Sequence, residues 1–305
     1  MVSVKNSTKK LILPAPAKLN LFLHITGRRE DGYHELQTVF QLLDYADQIT
    51  LRHRQDGVIS RSQKSDAEIN KISYESDLCV RAAKLMHAQL PEPKKALFGV
   101  DITLQKNLPI GGGIGGGSSD AATVLCGLNK LWQCGFSVDK LAALGATLGA
   151  DVPVFVRGVS AWAEGIGEQL TPIKLDQKWF VVIHPKIFSS TVEIFNNQAL
   201  TRDCDTLKIA RFLEGNRFNY LADEFSNVFE SIVTKQYPEI TKVIDWLSAF
   251  SPARLTGTGS CVFSAFNSEE EATKVLDALT ESNHDWLGFV AKGVNQSPLQ
   301  QVLQN

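Results

Sequence analysis
The chain lacks an excess of charge of either sign: 31 Lys and Arg face 33 Asp and Glu, for a formal net charge of −2. No basic stripe marks a nucleic-acid face, so a nucleic-acid partner is not expected, and any anionic substrate must be held by a few local groups. Cysteine is scarce, five residues with no CxxC pairing. Three of them lie in apolar runs, which argues against a disulfide framework and for a reducing cytoplasm. No apolar run approaches the length of a membrane span, and residues 1–10 are polar, without the apolar centre of a signal peptide. Repeats and low-complexity tails are missing as well. The reading is a cytoplasmic protein with a sizeable core, 44% hydrophobic and 21% charged.

Glycine, by contrast, is concentrated. Six of the seven residues from Gly111 to Gly117 are glycine, and Ser118-Ser119-Asp120 and an apolar helical pattern follow. Glycine lets backbone N–H groups approach an anion closely, and a helix starting behind such a run aims its unpaired amides and positive dipole end at the same point. This describes a phosphate cradle. The loop joins a strand directly to an amphipathic helix, so a bland linker is a poor account of it. Gly111, Gly113 and Gly116 match a dinucleotide fingerprint, but residues 133–150 read as turn and helix, without the second strand and acid that a dehydrogenase wants. A Walker loop fails too, since no G-K-[ST] closes the run.

At 305 residues the chain is long for one core and fits two lobes, taken as 1–158 and 159–305. In the first, alternation predicts a strand over 11–27, with Lys18, Asn20, Phe22 and His24 on one face. Asp31-Gly32 marks a hairpin turn, and two strands follow over 38–43 and 48–53. Residues 55–76 read as a variable loop, 77–90 as a helix capped by Asp77, and 98–105 as a strand. Behind the glycines, Ala121, Val124, Leu125, Leu128, Leu131 and Trp132 form one stripe, with Ser118 or Ser119 as N-cap. A helix over 138–148 comes next. The second half alternates strands (179–184, 260–266, 288–294) with helices (191–213, 225–250, 269–281), an α+β pattern of ferredoxin-like packing.

Outside the loop, three features bear on chemistry. Asp151, in Gly149-Ala150-Asp151-Val152-Pro153, is placed between a helix end and an apolar strand start. An isolated turn aspartate usually does no more than satisfy backbone donors; behind a phosphate loop it can accept a hydroxyl proton. Lys18 inside an apolar strand is costly unless its ammonium snorkels to an edge or meets a carboxylate or phosphate. Thr256-Gly257-Thr258-Gly259-Ser260 is a second glycine turn able to wall the same site. Tyr33-His34 beside the hairpin turn is either surface or a ring-stacking pair.

Taken in order, Pro16-Ala17-Lys18-Leu19-Asn20-Leu21, Asp31-Gly32-Tyr33-His34, residues 108–122, residues 149–155, Ala163-Glu164-Gly165-Ile166-Gly167-Glu168 and residues 254–263 resemble the GHMP kinase superfamily, and within it the 4-diphosphocytidyl-2-C-methyl-D-erythritol kinases of the non-mevalonate isoprenoid pathway. The similarity covers nearly the whole chain and departs only over 55–76 and 201–219. It implies a two-lobed α+β fold, a ribosomal-protein-S5 domain 2-like N-terminal lobe beside a ferredoxin-like C-terminal lobe. It further implies ATP and Mg²⁺ as cofactors, that cytidine-diphosphate alcohol as the small-molecule partner, no nucleic acid or membrane partner, and a monomer or weak homodimer. Lys106, Pro109, Ile110, Gly111, Gly112, Gly113, Ile114, Gly115, Gly116, Gly117, Ser118 and Ser119 are implied to bind ATP, Lys106 toward the adenine and Ser118 or Ser119 near the metal-bound oxygens. Asp151 is implied as catalytic base, with Lys18 close to it and to the γ-phosphate. Asn20, Tyr33, His34, Thr191 and Phe195 are implied to form the cytidine and erythritol pocket, closed by Gly257, Thr258 and Gly259. Mevalonate, homoserine or sugar kinases are the nearest alternatives, disfavoured by Tyr33 and His34. A non-catalytic nucleotide-binding regulator is disfavoured by the joint presence of Lys18 and Asp151.

Overall fold
The computed structural model describes residues 9–63, 73–209 and 225–304. Its spine is an antiparallel hairpin of two long strands, β1 (Lys10–Arg28) and β2 (His34–Arg54), joined at the expected Asp31-Gly32 turn. The pair of short strands expected within 38–53 is a single continuous one. Its polar interruption is accommodated because Asp44 accepts from the Lys292 amide at 2.7 Å, while Asp47 is a buried carboxylate with three partners of its own. Strict alternation along β1 is also broken. Register shifts between Pro16 and Lys18, Asn20 and Leu23, and Ile25 and Gly27 are bulges, and both faces of the strand are covered.

Four strands pair with β2 along its length. β4 (Gly99–Gln105) lies antiparallel to its far end, and β3 (Ile59–Gln63) pairs parallel to β4. β3 falls inside the stretch expected as a loop; it is an edge strand with only one apolar residue, so periodicity could not mark it, and 64–72 lie outside the described residues. β5 (Ala161–Glu164) pairs with Thr38 to Phe40 and with β6 (Gln169–Pro172). β10 (Leu287–Val294) meets β2 at Leu42 and Leu43 and then carries β7 (Trp179–His184), β9 (Val262–Phe266) and β8 (Ala253–Leu255). One ten-stranded sheet therefore links both halves.

Helices cover it. In the first half these are α1 (Leu78–Ala88), α2 (Glu92–Lys95), α3 (Gly116–Leu131), α4 (Val138–Ala146) and α5 (Val152–Arg157). The second half carries α6 (Thr191–Asn196), α7 (Glu230–Gln236), α8 (Pro238–Ser248), α9 (Glu269–Glu281) and α10 (Pro298–Gln304). The expected stripe of α3 is buried, and with Phe155, Val124 and Leu51 it forms the core of the first half. Each fully buried Leu or Phe there contributes roughly 1.5–3 kcal/mol. Asp77 caps α1 as expected, accepting from the amide of Cys79 at 2.7 Å.

Three helical expectations change. The helix expected from 191 ends at Asn196, where Asn197 turns extended; residues 210–213 of that expectation lie outside the described ones. The expected 225–250 helix is divided, because Pro238 has no N–H to continue α7 and instead starts α8. Val152 and Pro153 open a short buried helix rather than a strand, with Pro in its first turn and Gly158 at φ +66 ending it. The β-branched run 152–156 favours a strand locally, and its burial against α3 and α4 decides otherwise.

Candidate active site
The glycine run turns sharply between β4 and α3, with Gly111, Gly113 and Gly115 at φ +72, +73 and +74. That geometry is open to glycine and strained for other residues. Space is equally restrictive: a Cβ on Gly113 would lie 2.4 Å from the Thr256 carbonyl oxygen, and one on Gly115 2.7 Å from the Phe155 ring. Neither Ser118 nor Ser119 is the N-cap of α3. Gly115 holds that position with no side-chain cap, so no side chain occupies the helix's first amides, which are left for an anion.

The loop is braced from two sides. Lys18 N–H donates to the Ile114 carbonyl at 3.0 Å, and Cys261 N–H to that of Gly112 at 3.0 Å. The second glycine turn, residues 256–260, thus docks on the first. Thr256 Oγ1 accepts from the Asn20 amide at 2.9 Å, and Asn227 Nδ2 donates to the carbonyls of Leu255 and Gly257. Neither Thr256 nor Asn227 was singled out from sequence. Thr256 lay within a recognised motif, but Asn227 carried no signal because its partners are distant main-chain atoms.

A cleft of about 580 Å³ opens between these turns, β1, β2 and α6. Lys18, Asn20, Lys106, residues 109–118, Asp151, Thr191, Phe195, Gly257 and Thr258 all line it. Four expected residues do not. Ser119 is fully buried with its Oγ unpartnered, and Gly259 lies behind the turn. Tyr33 is exposed on the hairpin turn, and His34 is buried one ring behind the wall, its centroid 5.3 Å from that of Phe195.

At the floor, Lys18 Nζ stands 3.3 Å from Asp151 Oδ2; the lysine side chain is 4% exposed, the aspartate 34%. The ammonium also donates to the Asn20 side-chain oxygen and, at 3.1 Å, to the Gly113 carbonyl, and it lies 5.3 Å from the Phe40 ring centroid. Asn20 in turn donates to Thr38 Oγ1 at 2.9 Å. The buried cation is therefore satisfied on three sides. Asp151 has Lys18 as its ion-pair partner and reaches solvent in the cleft, the placement a proton acceptor needs.

Lys106 is held differently. Its ammonium sits between Asp47 and Asp120, 3.1 Å from Asp120 Oδ2, with its side chain 8% exposed. Burial opposes that charge, yet Asp120 and Asp47 outweigh it and hold the lysine above its ordinary range. Burial pushes the Asp120 carboxyl up to about 7, Lys106 opposing and Asp47 adding to the rise. Asp47 Oδ1 also accepts from the amides of Asn107 and Leu108 at 2.6 and 2.8 Å. This cluster ties β2, the entry to the glycine loop and the first turns of α3 together. Asp47 and Asp120 escaped the sequence reading because their function appears only beside Lys106.

The chain matches two family models, that of the GHMP kinases N terminal domain over residues 77–159 and that of the GHMP kinases C terminal over 206–285. It is 51% identical over 296 residues to the 4-diphosphocytidyl-2-C-methyl-D-erythritol kinase of Pseudomonas fluorescens (strain Pf0-1), covering 97% of this chain and 98% of the relative. The enzyme of the same name from Pseudomonas putida (strain W619) is 52% identical, covering 97% of each. A crystal structure of 4-(cytidine 5'-diphospho)-2C-methyl-D-erythritol kinase superposes with a TM-score of 0.75 at 31% identity, over 93% of this chain and all of the other. A mevalonate kinase structure superposes at 0.69 with 19% identity, over 94% and 100%, and so shares the fold.

Proposed function
Since the chain belongs to the GHMP kinase family, we propose that it phosphorylates the 2-hydroxyl of 4-diphosphocytidyl-2-C-methyl-D-erythritol with ATP, giving the 2-phosphate and ADP in non-mevalonate isoprenoid precursor synthesis. The observation that carries the reading is the Lys18–Asp151 pair, 3.3 Å apart, in the same cleft as the uncapped helix and the glycine loop. Residues 1–158 are read as the ATP-binding lobe and 159–305 as the lobe that completes the substrate side. The five free cysteines fit the cytoplasm as the site of action, and the enzyme is read as a monomer or weak homodimer.

Phosphoryl transfer asks a protein mainly for positioning and charge neutralisation. The amides of residues 111–117 and the open end of α3 supply donors for the phosphates, and Lys18 supplies a positive charge beside them. Asp151 takes the proton of the acceptor hydroxyl, and Lys18 and Asn20 hold the reacting groups in register. Mg²⁺, when bound with the nucleotide, supplies further neutralisation of phosphate charge. Among the described residues no three His, Cys, Asp or Glu side chains cluster as a metal site. Ser118, which lines the cleft beside the glycine loop, would stand near the ion. Lys106 is read as anchoring the nucleotide end. Thr191, Phe195, Gly257 and Thr258, which line the cleft, are read as the acceptor end, with Tyr33, His34 and Gly259 just outside the cleft wall.

A coupled ADP-release assay tests the whole reading, run with the cytidine-diphosphate alcohol, mevalonate and homoserine side by side. Turnover is expected with the first alone. Turnover on mevalonate or homoserine instead would remove the substrate assignment and keep the kinase.

A further inference from the structure
The segment between β7 and α6 carries Phe188, a large apolar residue that is 68% exposed. An exposed ring is normally free to move, yet this one sits on a backbone tied down at both of its neighbours. Ser260 Oγ donates to the Ile187 carbonyl, and Ser189 Oγ donates to that of Thr258 at 2.7 Å, so both bonds run to the second glycine turn. One residue further back, Lys186 pairs with Asp285, and its amide donates to His184 Nδ1 at 3.3 Å. The ring lies directly against Gly111 of the first glycine loop. A Cβ on Gly111 would run into its Cδ2 and stand 2.9 Å from its Cε2. The second turn holds the same stretch by its main chain, the Ser260 and Cys261 amides donating to the Gly111 and Gly112 carbonyls at 3.3 and 3.0 Å. Gly111, at φ +72, is therefore gripped by a ring at its Cα and by an amide at its carbonyl.

We propose that Phe188 is a positioning residue for the nucleotide: packed on Gly111, its ring holds the start of the glycine loop in its phosphate-binding shape before the ligand arrives. The inference rests on the reading of that loop as a phosphate cradle. Glycine loses more conformational freedom on ordering than any other residue and has no side chain with which to anchor itself. A loop that moved freely in the empty protein would lose that freedom on binding, and affinity would fall accordingly. Order imposed from outside removes this cost, and a ring pressed on the one face of Gly111 that lacks a Cβ imposes it. Phe188 does not line the cleft and acts through Gly111, which does. Because the ring is mostly exposed, removing it leaves the core intact, so loop order can be separated from global stability.

The test compares Phe188→Ala and Phe188→Leu with the wild-type protein. Calorimetry is expected to show the Kd for ADP raised about three- to tenfold in Phe188→Ala, with part of the loss recovered in Phe188→Leu, which keeps an apolar contact on Gly111. In steady-state kinetics the KM for ATP is expected to rise likewise, while kcat and the KM for the alcohol stay within about twofold. Amide hydrogen exchange without nucleotide reads the loop itself. The Ser260 and Cys261 amides, whose acceptors are the loop carbonyls, are expected to exchange at least about threefold faster in Phe188→Ala, with the urea midpoint unmoved. Unchanged ADP affinity, or unchanged exchange at those two amides, overturns the proposal. So does a fall in kcat together with the urea midpoint, the mark of general structural support. Absence of ADP binding by the wild-type protein would instead sink the nucleotide reading, and the exchange measurement would still decide whether Phe188 orders the loop.

Discussion
Lys18 on β1 and Asp151 at the start of α5 meet 3.3 Å apart at the floor of the cleft, and the same lysine donates to the carbonyl of Gly113 in the glycine loop. One ammonium thus touches both the carboxylate in the cleft and the glycine loop. The catalytic reading makes separable demands on these groups.

Asp151→Asn keeps the shape of the side chain and removes the proton acceptor. kcat is expected to fall by about 10²–10⁴-fold. ADP affinity, measured by calorimetry, is expected to stay within about threefold, because in the proposed mechanism the carboxylate serves the acceptor and not the loop amides. Wild-type kcat in this variant would remove Asp151 as the base.

Gly113→Ala places a Cβ at φ +73 and 2.4 Å from the Thr256 carbonyl oxygen, where backbone and not a flexible side chain must yield. Strain of about 1–3 kcal/mol is expected, with nucleotide affinity down by at least about tenfold. Gly135→Ala is the control: its φ is +70, yet nothing lies within 4 Å of the added Cβ. Equal loss of ADP binding in the two variants would mean that loop packing is not what the glycine protects.

Lys106→Met leaves Asp47 and Asp120 buried without their shared cation. A loss of about 3–5 kcal/mol in urea unfolding is expected, since removing one partner strands the others. Adding Asp120→Asn, which takes away the carboxylate pushed up to about 7, is expected to restore part of the stability at pH 8. An additive double variant would show that the three groups do not act as one cluster.

His34 titrates below 6.5 in the folded protein, from burial first and then from Arg202 and Arg28. A lowered folded value means that the unfolded chain takes up the proton first. The contribution of His34 to stability is therefore complete above its unfolded value of about 6.5 and declines as the pH falls below it. A proton NMR titration is expected to place its midpoint under 6.5, and Arg202→Met is expected to move it upward. An unmoved midpoint would remove Arg202 as a cause.

The sequence by itself determined the parts that rest on local chemistry. A glycine run ahead of an apolar stripe at helical spacing could only be a close-approach loop feeding a buried helix, and α3 is buried along that stripe. Lys18 in an apolar strand required an anion or an edge, and Asp151 supplied the anion. Tertiary structure decided what depends on distant partners. Burial against α3 and α4 made residues 152–156 a helix, overriding their β-branched preference, and pairing with β4 made the polar segment 59–63 a strand. Asp47 and Asp120 found their shared cation, and Arg202 its imidazole partner, only where the fold set them beside Lys106 and His34. Charge and hydrogen-bond complementarity act through space over a few ångströms, and linear spacing carries no record of which side chains the sheet will bring that close.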